Sequence, residues 1–238
     1  MTGTGFVYSS SELDAVAGAR NYYRWITRRF EPYLGANVVE VGAGIGTYSE
    51  FLLGAPRTRR LIAVEPASNT FPLLKAKLAA FPQAQALEGY LGDHAAELSA
   101  DSVVAVNVLE HVEHDDEFLR LAWNIVVPGG TLLLFVPAVP AIFGTLDTAF
   151  EHYRRYTRPL LRRKLENAGW SIERIDYMNL PGILPWFVVG RVMQWTSISS
   201  RSARFYDKVV IPITSAIEDA VSIPIGQSLL AVGRKPLR

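Results

Sequence analysis

The stretch Val38-Val39-Glu40-Val41-Gly42-Ala43-Gly44-Ile45-Gly46-Thr47 decides how this chain folds. An apolar run of β-branched residues stops at a cluster of glycines, and Tyr48, Phe51, Leu52 and Leu53 come next as the apolar positions of a helix. The pattern predicts a buried parallel strand, a tight turn and a helix. In open α/β sheets, ligands sit at the carboxyl ends of such strands. Glycine lets the backbone approach a cofactor where a Cβ would block it. The dinucleotide fingerprint G-x-G-x-x-G/A closes on a small residue that lets helix and strand pack. Here Gly42 and Gly44 fit, Thr47 holds the closing position, and the third glycine comes one residue early at Gly46, giving E-x-G-x-G-x-G. A tight strand-to-helix turn with no ligand is the alternative.

Outward from this turn, strand and helix patterns alternate. Glu12 to Tyr33 reads as a helix, with Tyr22, Trp25, Ile26, Arg29 and Phe30 at helical spacing. Leu61 to Val64 is a second strand, ending at Glu65-Pro66, and Thr70 to Ala80 the next helix. Ala84 to Leu91 is a weaker strand pattern before a loop with Gly92 and Asp93. Val103 to Val108 is a buried strand. Asp115 to Val126 suits a helix with Phe118, Leu121, Ala122 and Ile125 on one face. Pro128-Gly129-Gly130 then turns the chain into the strand Thr131 to Val136. Thr157 caps a helix with proline in its first turn, which ends at Gly169. Trp170 to Tyr177 and Ser228 to Gly233 complete the strands. The roughly fifty residues between these two exceed an ordinary connection and predict a cap or substrate region. The whole predicts a doubly wound, mostly parallel sheet.

Composition narrows the function. A chain of 238 residues, 49% hydrophobic, suits one α/β domain with an elaborated substrate region. A net charge of +1 gives no broad electrostatic case for nucleic acid. The absence of cysteine excludes disulfides, thiolate zinc sites and cysteine nucleophiles, and fits a reducing cytoplasm. Met1 to Ser11 has no basic or apolar leader pattern. Val126 to Leu146 and Leu180 to Ile198 are apolar but broken by proline, glycine or arginine, short of the unbroken run of about 20 residues a spanning helix needs. The expectation is a cytoplasmic protein without a transmembrane segment. Peripheral membrane contact through Pro185 to Trp195 stays open.

Glu65, ending the second strand, is placed to accept hydrogen bonds from ribose hydroxyls of an adenosine-type cofactor. Two more segments belong with it: Asn107-Val108-Leu109-Glu110-His111-Val112 after a strand, and Val127-Pro128-Gly129-Gly130 before the strongest one. With Glu40 to Gly46 and Glu65, their order and spacing resemble class I S-adenosylmethionine (SAM) dependent methyltransferases over roughly Tyr22 to Val136. Phe143-Gly144-Thr145-Leu146-Asp147 and Glu151-His152-Tyr153-Arg154-Arg155-Tyr156-Thr157 resemble a bacterial subfamily with a D…HYRRYT segment. The resemblance implies a seven-stranded Rossmann-like methyltransferase domain over 1–238. In it, 1–33 is an N-terminal helical segment, and 138–160 with 178–227 are substrate or cap elements.

The resemblance also implies site roles. Gly42, Ala43, Gly44 and Gly46 wrap the methionine part of SAM, and Glu65 holds the ribose. Asn107 and Leu109 line the sulfonium side, and Tyr90, Leu91 and Asp93 the adenine. Tyr22, Glu40 and Pro66 belong to the same cofactor site. Phe143, Asp147, His152, Tyr153, Arg154, Arg155, Tyr156 and Trp186 are candidate substrate residues. Two arginines and a histidine among tyrosines suit an anionic or hydroxylated substrate. Equally, Arg154 and Arg155 can pair with Asp147 or Glu151 simply to hold the loop. Trp186, Phe187, Trp195 and Tyr206 form either an apolar substrate wall or cap core.

His111 is the first candidate general base and His152 the second, a capping or packing role for His111 being as good a reading. No metal is expected, because His111, His114, Asp115 and Asp116 are neighbours at a helix start and do not converge. The expected function is SAM-dependent methyl transfer by in-line displacement to a small molecule in biosynthesis: a natural product, a sugar or a lipid-linked intermediate. S-adenosylhomocysteine is the product. An NAD(P)-dependent oxidoreductase and a non-catalytic SAM-fold binding module are the alternatives.

Overall fold

A computed structural model describes residues 18–237. The first residues of the expected Glu12 to Tyr33 helix, and all of Met1 to Ser11, lie outside the described residues. The first described element is helix α1 (Arg20–Phe30), continued by a tighter 3-10 turn at Glu31–Tyr33. Then come β1 (Asn37–Val41), α2 (Thr47–Leu53), β2 (Arg60–Glu65), α3 (Phe71–Leu78), β3 (Ala84–Glu88) and the short α4 (Leu91–His94). Next are β4 (Ala100–Val106), α5 (Asp115–Ile125), β5 (Val126–Pro137), α6 (Thr145–Ala149), α7 (Arg158–Asn167) and β6 (Ser171–Met178). The cap helices are α8 (Ile183–Phe187), α9 (Ser200–Phe205) and α10 (Ile211–Ala220), and β7 (Ser228–Arg234) ends the sheet.

The seven strands lie in the order β3-β2-β1-β4-β5-β7-β6. The first five are parallel, and β7 is antiparallel to both its neighbours. Alternate residues of the central strands feed two cores, as a period of two demands. Val39, Val103, Leu132 and Leu134 pack with Phe118 and Leu119 of α5 and Leu161 and Leu165 of α7. Val38, Val104, Leu133 and Phe135 pack with Trp25, Ile26 and Phe30 of α1 and Leu52 of α2. From β1 the chain winds first to one side, building β2 and β3, then crosses to β4 on the other. The register aligns Val41 with Val64 of β2 and Ala105 of β4. The turn after β1 therefore stands at the switch point of the sheet, where ligands bind in open α/β folds.

Several boundaries differ from the sequence expectation, each for a local reason. The third strand stops at Glu88 rather than Leu91 because Gly89 adopts φ +122° and Asp93 Oδ2 accepts from the Tyr90 amide at 2.7 Å, starting α4. The fourth stops at Val106, since Asn107 sits at φ +52°. Pro128-Gly129-Gly130 is a bulge within β5, not a turn before it. Pairing jumps from Ala100–Val126 to Ser102–Thr131, and a Cβ on Gly130 would lie 2.7 Å from the Asp101 carbonyl oxygen. The cap is built largely of helix: α8 widens into a π-turn at Val188–Val192, and another at Tyr206–Val210 joins α9 to α10. Among the described residues no helix is long and apolar enough to cross a membrane.

Candidate functional site

The glycine turn opens the site. Gly42 and Gly44 take φ +66° and +56°, a region where side chains are strained. A Cβ on Gly42 would sit 2.6 Å from Val108 Cγ2, while around a Cβ on Gly44 nothing lies within 4 Å. The turn is thus packed on its sheet side and open at Gly44. Glu65 holds it in place. Its carboxylate is fully buried and accepts from the Gly44 amide at 2.7 Å, the Ala67 amide at 2.9 Å and Thr70 Oγ1 at 3.0 Å. Burial pushes its pKa up against these hydrogen bonds. Glu65 therefore ties β2 to the turn, whereas the sequence alone assigns it only to a ribose. Beneath the turn Glu40 is buried and accepts from Ser49 Oγ at 2.5 Å; burial pushes its pKa up to about 8.

Along the same sheet edge, Asn107 is exposed, and its amide bonds the Phe135 carbonyl at 2.8 Å. Leu109 is fully buried, and its carbonyl accepts from the Tyr156 hydroxyl at 3.2 Å. Beyond β3 the Tyr90 ring is exposed, whereas Leu91 is buried in the core. Pro66 is half-buried at the end of β2. Tyr22 leaves α1 with its ring edge-on to Phe135 and its hydroxyl 3.3 Å from Ser228 Oγ.

The HYRRYT segment returns to this edge. Asp147 is its hub. Oδ1 accepts from His152 Nδ1 at 3.0 Å and Arg155 Nε at 2.6 Å, and Oδ2 from the Gly144 amide and Trp186 Nε1 at 3.0 Å each. Burial opposes ionisation, yet these bonds and the Arg155 charge hold the Asp147 carboxyl below the usual range. Arg155 is buried, stacks 4.8 Å from the Trp186 ring and donates to the Ala138 carbonyl. Arg154 pairs with Asp115 at 2.9 Å and donates to the Glu113 carbonyl. Tyr156 is fully buried, its hydroxyl 2.8 Å from Asp115 Oδ2. Both arginines and Tyr156 are engaged within the protein, so the loop-holding reading is the one the fold adopts, with Asp115 the partner of Arg154. Tyr153 remains exposed. Phe143 lines an open cleft of about 630 Å³ bounded also by Thr145, Gly190 and Arg191.

His111 and His152 meet here with rings 4.8 Å apart, edge to face. Beside them lies Glu110, its side chain 1% exposed, with Oε1 4.0 Å from His152 Nε2. Neither Glu110 oxygen has a hydrogen-bond partner, nor has His111 Nδ1. Burial pushes Glu110 up to about 7, and burial followed by the neighbouring His152 pushes His111 down to about 3. Glu110 belongs to the Asn107 to Val112 motif, but the sequence assigns it no role. The one local signal is an acid next to a histidine at the end of a buried strand. By contrast His114 and Asp116 stand apart from this group, Asp116 pairing with Lys164 at 2.9 Å.

A family model described as a methyltransferase domain matches residues 39–132, from within β1 to the middle of β5. A ubiquinone biosynthesis O-methyltransferase of Xanthomonas axonopodis pv. citri is 29% identical over 170 residues, 65% of this chain and 70% of the relative. A probable S-adenosylmethionine-dependent methyltransferase of Mycolicibacterium smegmatis is 27% identical over 142 residues, 58% of this chain and 53% of the relative. Among solved structures, a SAM-dependent methyltransferase from Archaeoglobus fulgidus superposes with TM-score 0.60 at 15% identity, over 91% of this chain and 94% of its own. Phosphoethanolamine N-methyltransferase 2 of Haemonchus contortus, solved with S-adenosyl-L-methionine, gives TM-score 0.61 at 18% identity, over 91% of this chain and 52% of its own. These likenesses show the same Rossmann-like fold.

Proposed function

We infer the course of the reaction from one premise: the chain is a class I SAM-dependent methyltransferase. The open, left-handed backbone at Gly44 fits the cofactor, since it leaves a cradle that a side chain would fill. Bound there, SAM supplies a methyl group on a sulfonium, already activated for displacement. The turn Gly42 to Gly46 would hold the methionine part. Glu65, which anchors Gly44 through Oε2, would hold the ribose end. Tyr90 and Asp93 flank the adenine. Exposed Asn107 would flank the sulfonium, with buried Leu109 packed behind it.

The protein's task in such a displacement is to align the acceptor and keep water out. The acceptor we propose is a small molecule methylated on a hydroxyl that is deprotonated beside the Glu110–His111–His152 cluster. The observation carrying this is the position of that cluster. It begins three residues after Asn107 on the cofactor edge, and burial keeps His111 neutral there. Residues 18–33, 138–160 and 178–227 form the substrate-binding side of the domain in this reading. The apolar, basic surface of the cap helices supports a lipid-linked acceptor met at a membrane surface.

Titration calorimetry tests the premise at the site. SAM and S-adenosylhomocysteine should bind and NAD should not, and Gly44→Val should weaken SAM at least tenfold by filling the cradle. His111→Ala should then keep SAM affinity while lowering kcat. Selective NAD binding, or SAM affinity untouched by Gly44→Val, would sink the reading.

A further inference from the structure

We propose that Glu110, His111 and His152 bind a divalent transition-metal ion, with the Glu110 carboxylate, His111 Nδ1 and His152 Nε2 as ligands. The sequence points away from a metal because the acids and histidines near His111 in the chain do not converge. The fold changes this by bringing His152 in from another loop. One ligand atom from each residue then lies within 4.8 Å of the others. An ion with ligands at about 2.0–2.2 Å needs them about 3–3.5 Å apart, so side-chain rotations of roughly an ångström close the set.

The protein chemistry around these atoms matches a metal site. A buried carboxylate with no hydrogen-bond donor is costly, yet both Glu110 oxygens are in that state. The two imidazoles already have their other nitrogen engaged. His152 Nδ1 bonds Asp147 Oδ1 at 3.0 Å. His111 bonds the Glu151 backbone, while its Nδ1 has no partner. An outer carboxylate or carbonyl that fixes the histidine tautomer is the usual support of a metal-binding histidine. It leaves one lone pair on each ring for the ion. The formal charges of Glu110, Asp147 and Arg155 sum to −1, which favours a cation. Two imidazoles and one carboxylate suit Zn²⁺ and its first-row neighbours over Mg²⁺ or Ca²⁺.

Three protein ligands leave a coordination position for an acceptor oxygen. There the ion would lower the pKa of the acceptor hydroxyl, whose proton leaves to solvent. The oxygen then bonds the methyl carbon as the S–CH₃ bond breaks, and the electron pair stays on sulfur. This role rests on the methyl-transfer reading above. The binding of the ion does not.

The test is metal binding by the full chain, stripped with chelator and then titrated with Zn²⁺ and, separately, Co²⁺. One equivalent should bind, and the Co²⁺ form should show visible ligand-field absorption. His152→Ala and the isosteric Glu110→Gln should each lose at least tenfold in affinity and lose that absorption, with circular dichroism unchanged. Asp147→Asn should lower affinity about 10–100-fold through His152. No stoichiometric binding, or full affinity in a folded Glu110→Gln chain, overturns the site. A chain that binds SAM but no metal fails only this inference. A chain that binds metal but not SAM fails only the methyltransferase reading.

Discussion

Glu40 shows how a single buried residue couples the cofactor edge to pH. Its carboxyl is walled in by β1 and α2 and receives one hydrogen bond, from Ser49 Oγ at 2.5 Å. Burial, with a smaller push from nearby Glu65, raises its pKa from 4.5 to about 8. The proton is held more tightly folded than unfolded, so this residue's stabilising contribution is complete below pH 4.5 and fades as pH rises towards 8. Glu40→Gln keeps the shape of the neutral form without the titration. Thermal melts of both chains across that pH range should show the parent losing more of its Tm with rising pH than the variant. Parallel pH slopes would mean that Glu40 ionises freely in the fold. At this scale much of the edge was legible in the sequence, because glycine spacing and an acid at a strand end are local signals. Glu110 was not. Its importance comes from His152 arriving beside it, and nothing in the local sequence encodes that meeting.

The elements divide the same way. β1, β2, β4 and β5 are legible because runs such as Val38–Val41 and Thr131–Val136 are apolar, β-branched or leucine-rich, and bounded by glycine or proline. Thr157 is legible as a cap because its Oγ1 accepts from the Leu160 amide, as its position before Arg158-Pro159 predicts. The start of α1 is a different matter. Its first amides have no cap from their own neighbourhood. Instead the Asp207 carboxylate, buried 186 residues away in the chain, accepts from the Asn21 amide at 3.1 Å and the Tyr22 amide at 2.9 Å. A remote cap of this kind satisfies the orphan donors of the helix and its positive end together. It also joins the cap helices to the helix that carries Tyr22. Asp207→Ala should cost about 1–2 kcal/mol, a fall in Tm of about 3–6 °C for a chain of this size. A scanning melt checks it, and a Tm unchanged within a degree or so would show that water replaces the carboxylate.

For the molecule as a whole, the cap presents a surface that the sheet does not need. Phe205, Val209, Ile213, Ile217 and Val221 recur every four residues along α9, the π-turn and α10 and just beyond, and all are exposed. Residues four apart lie on one row of a helix. Arg201, Arg204 and Lys208 are exposed beside this row. The acids of the same rod are spent elsewhere: Asp207 and Glu218 are buried, and Asp219 pairs with Arg28 at 2.8 Å and accepts from Trp25 Nε1 at 2.9 Å. What faces outward is an apolar row with positive charge only, the pattern of a helix lying in an anionic lipid surface. Each cation there contributes about 1 kcal/mol near such a surface. The full chain should therefore sediment with vesicles containing anionic phospholipid, much less with neutral ones, and partly release at high salt. The double substitution Phe205→Ser with Ile213→Ser should reduce binding severalfold while leaving SAM affinity unchanged, since neither residue touches the cofactor edge. Two results would remove the membrane from the account. One is sedimentation that ignores the substitution. The other is a parent chain that dimerises in solution and becomes monomeric when substituted, which would assign the row to a second copy of the chain.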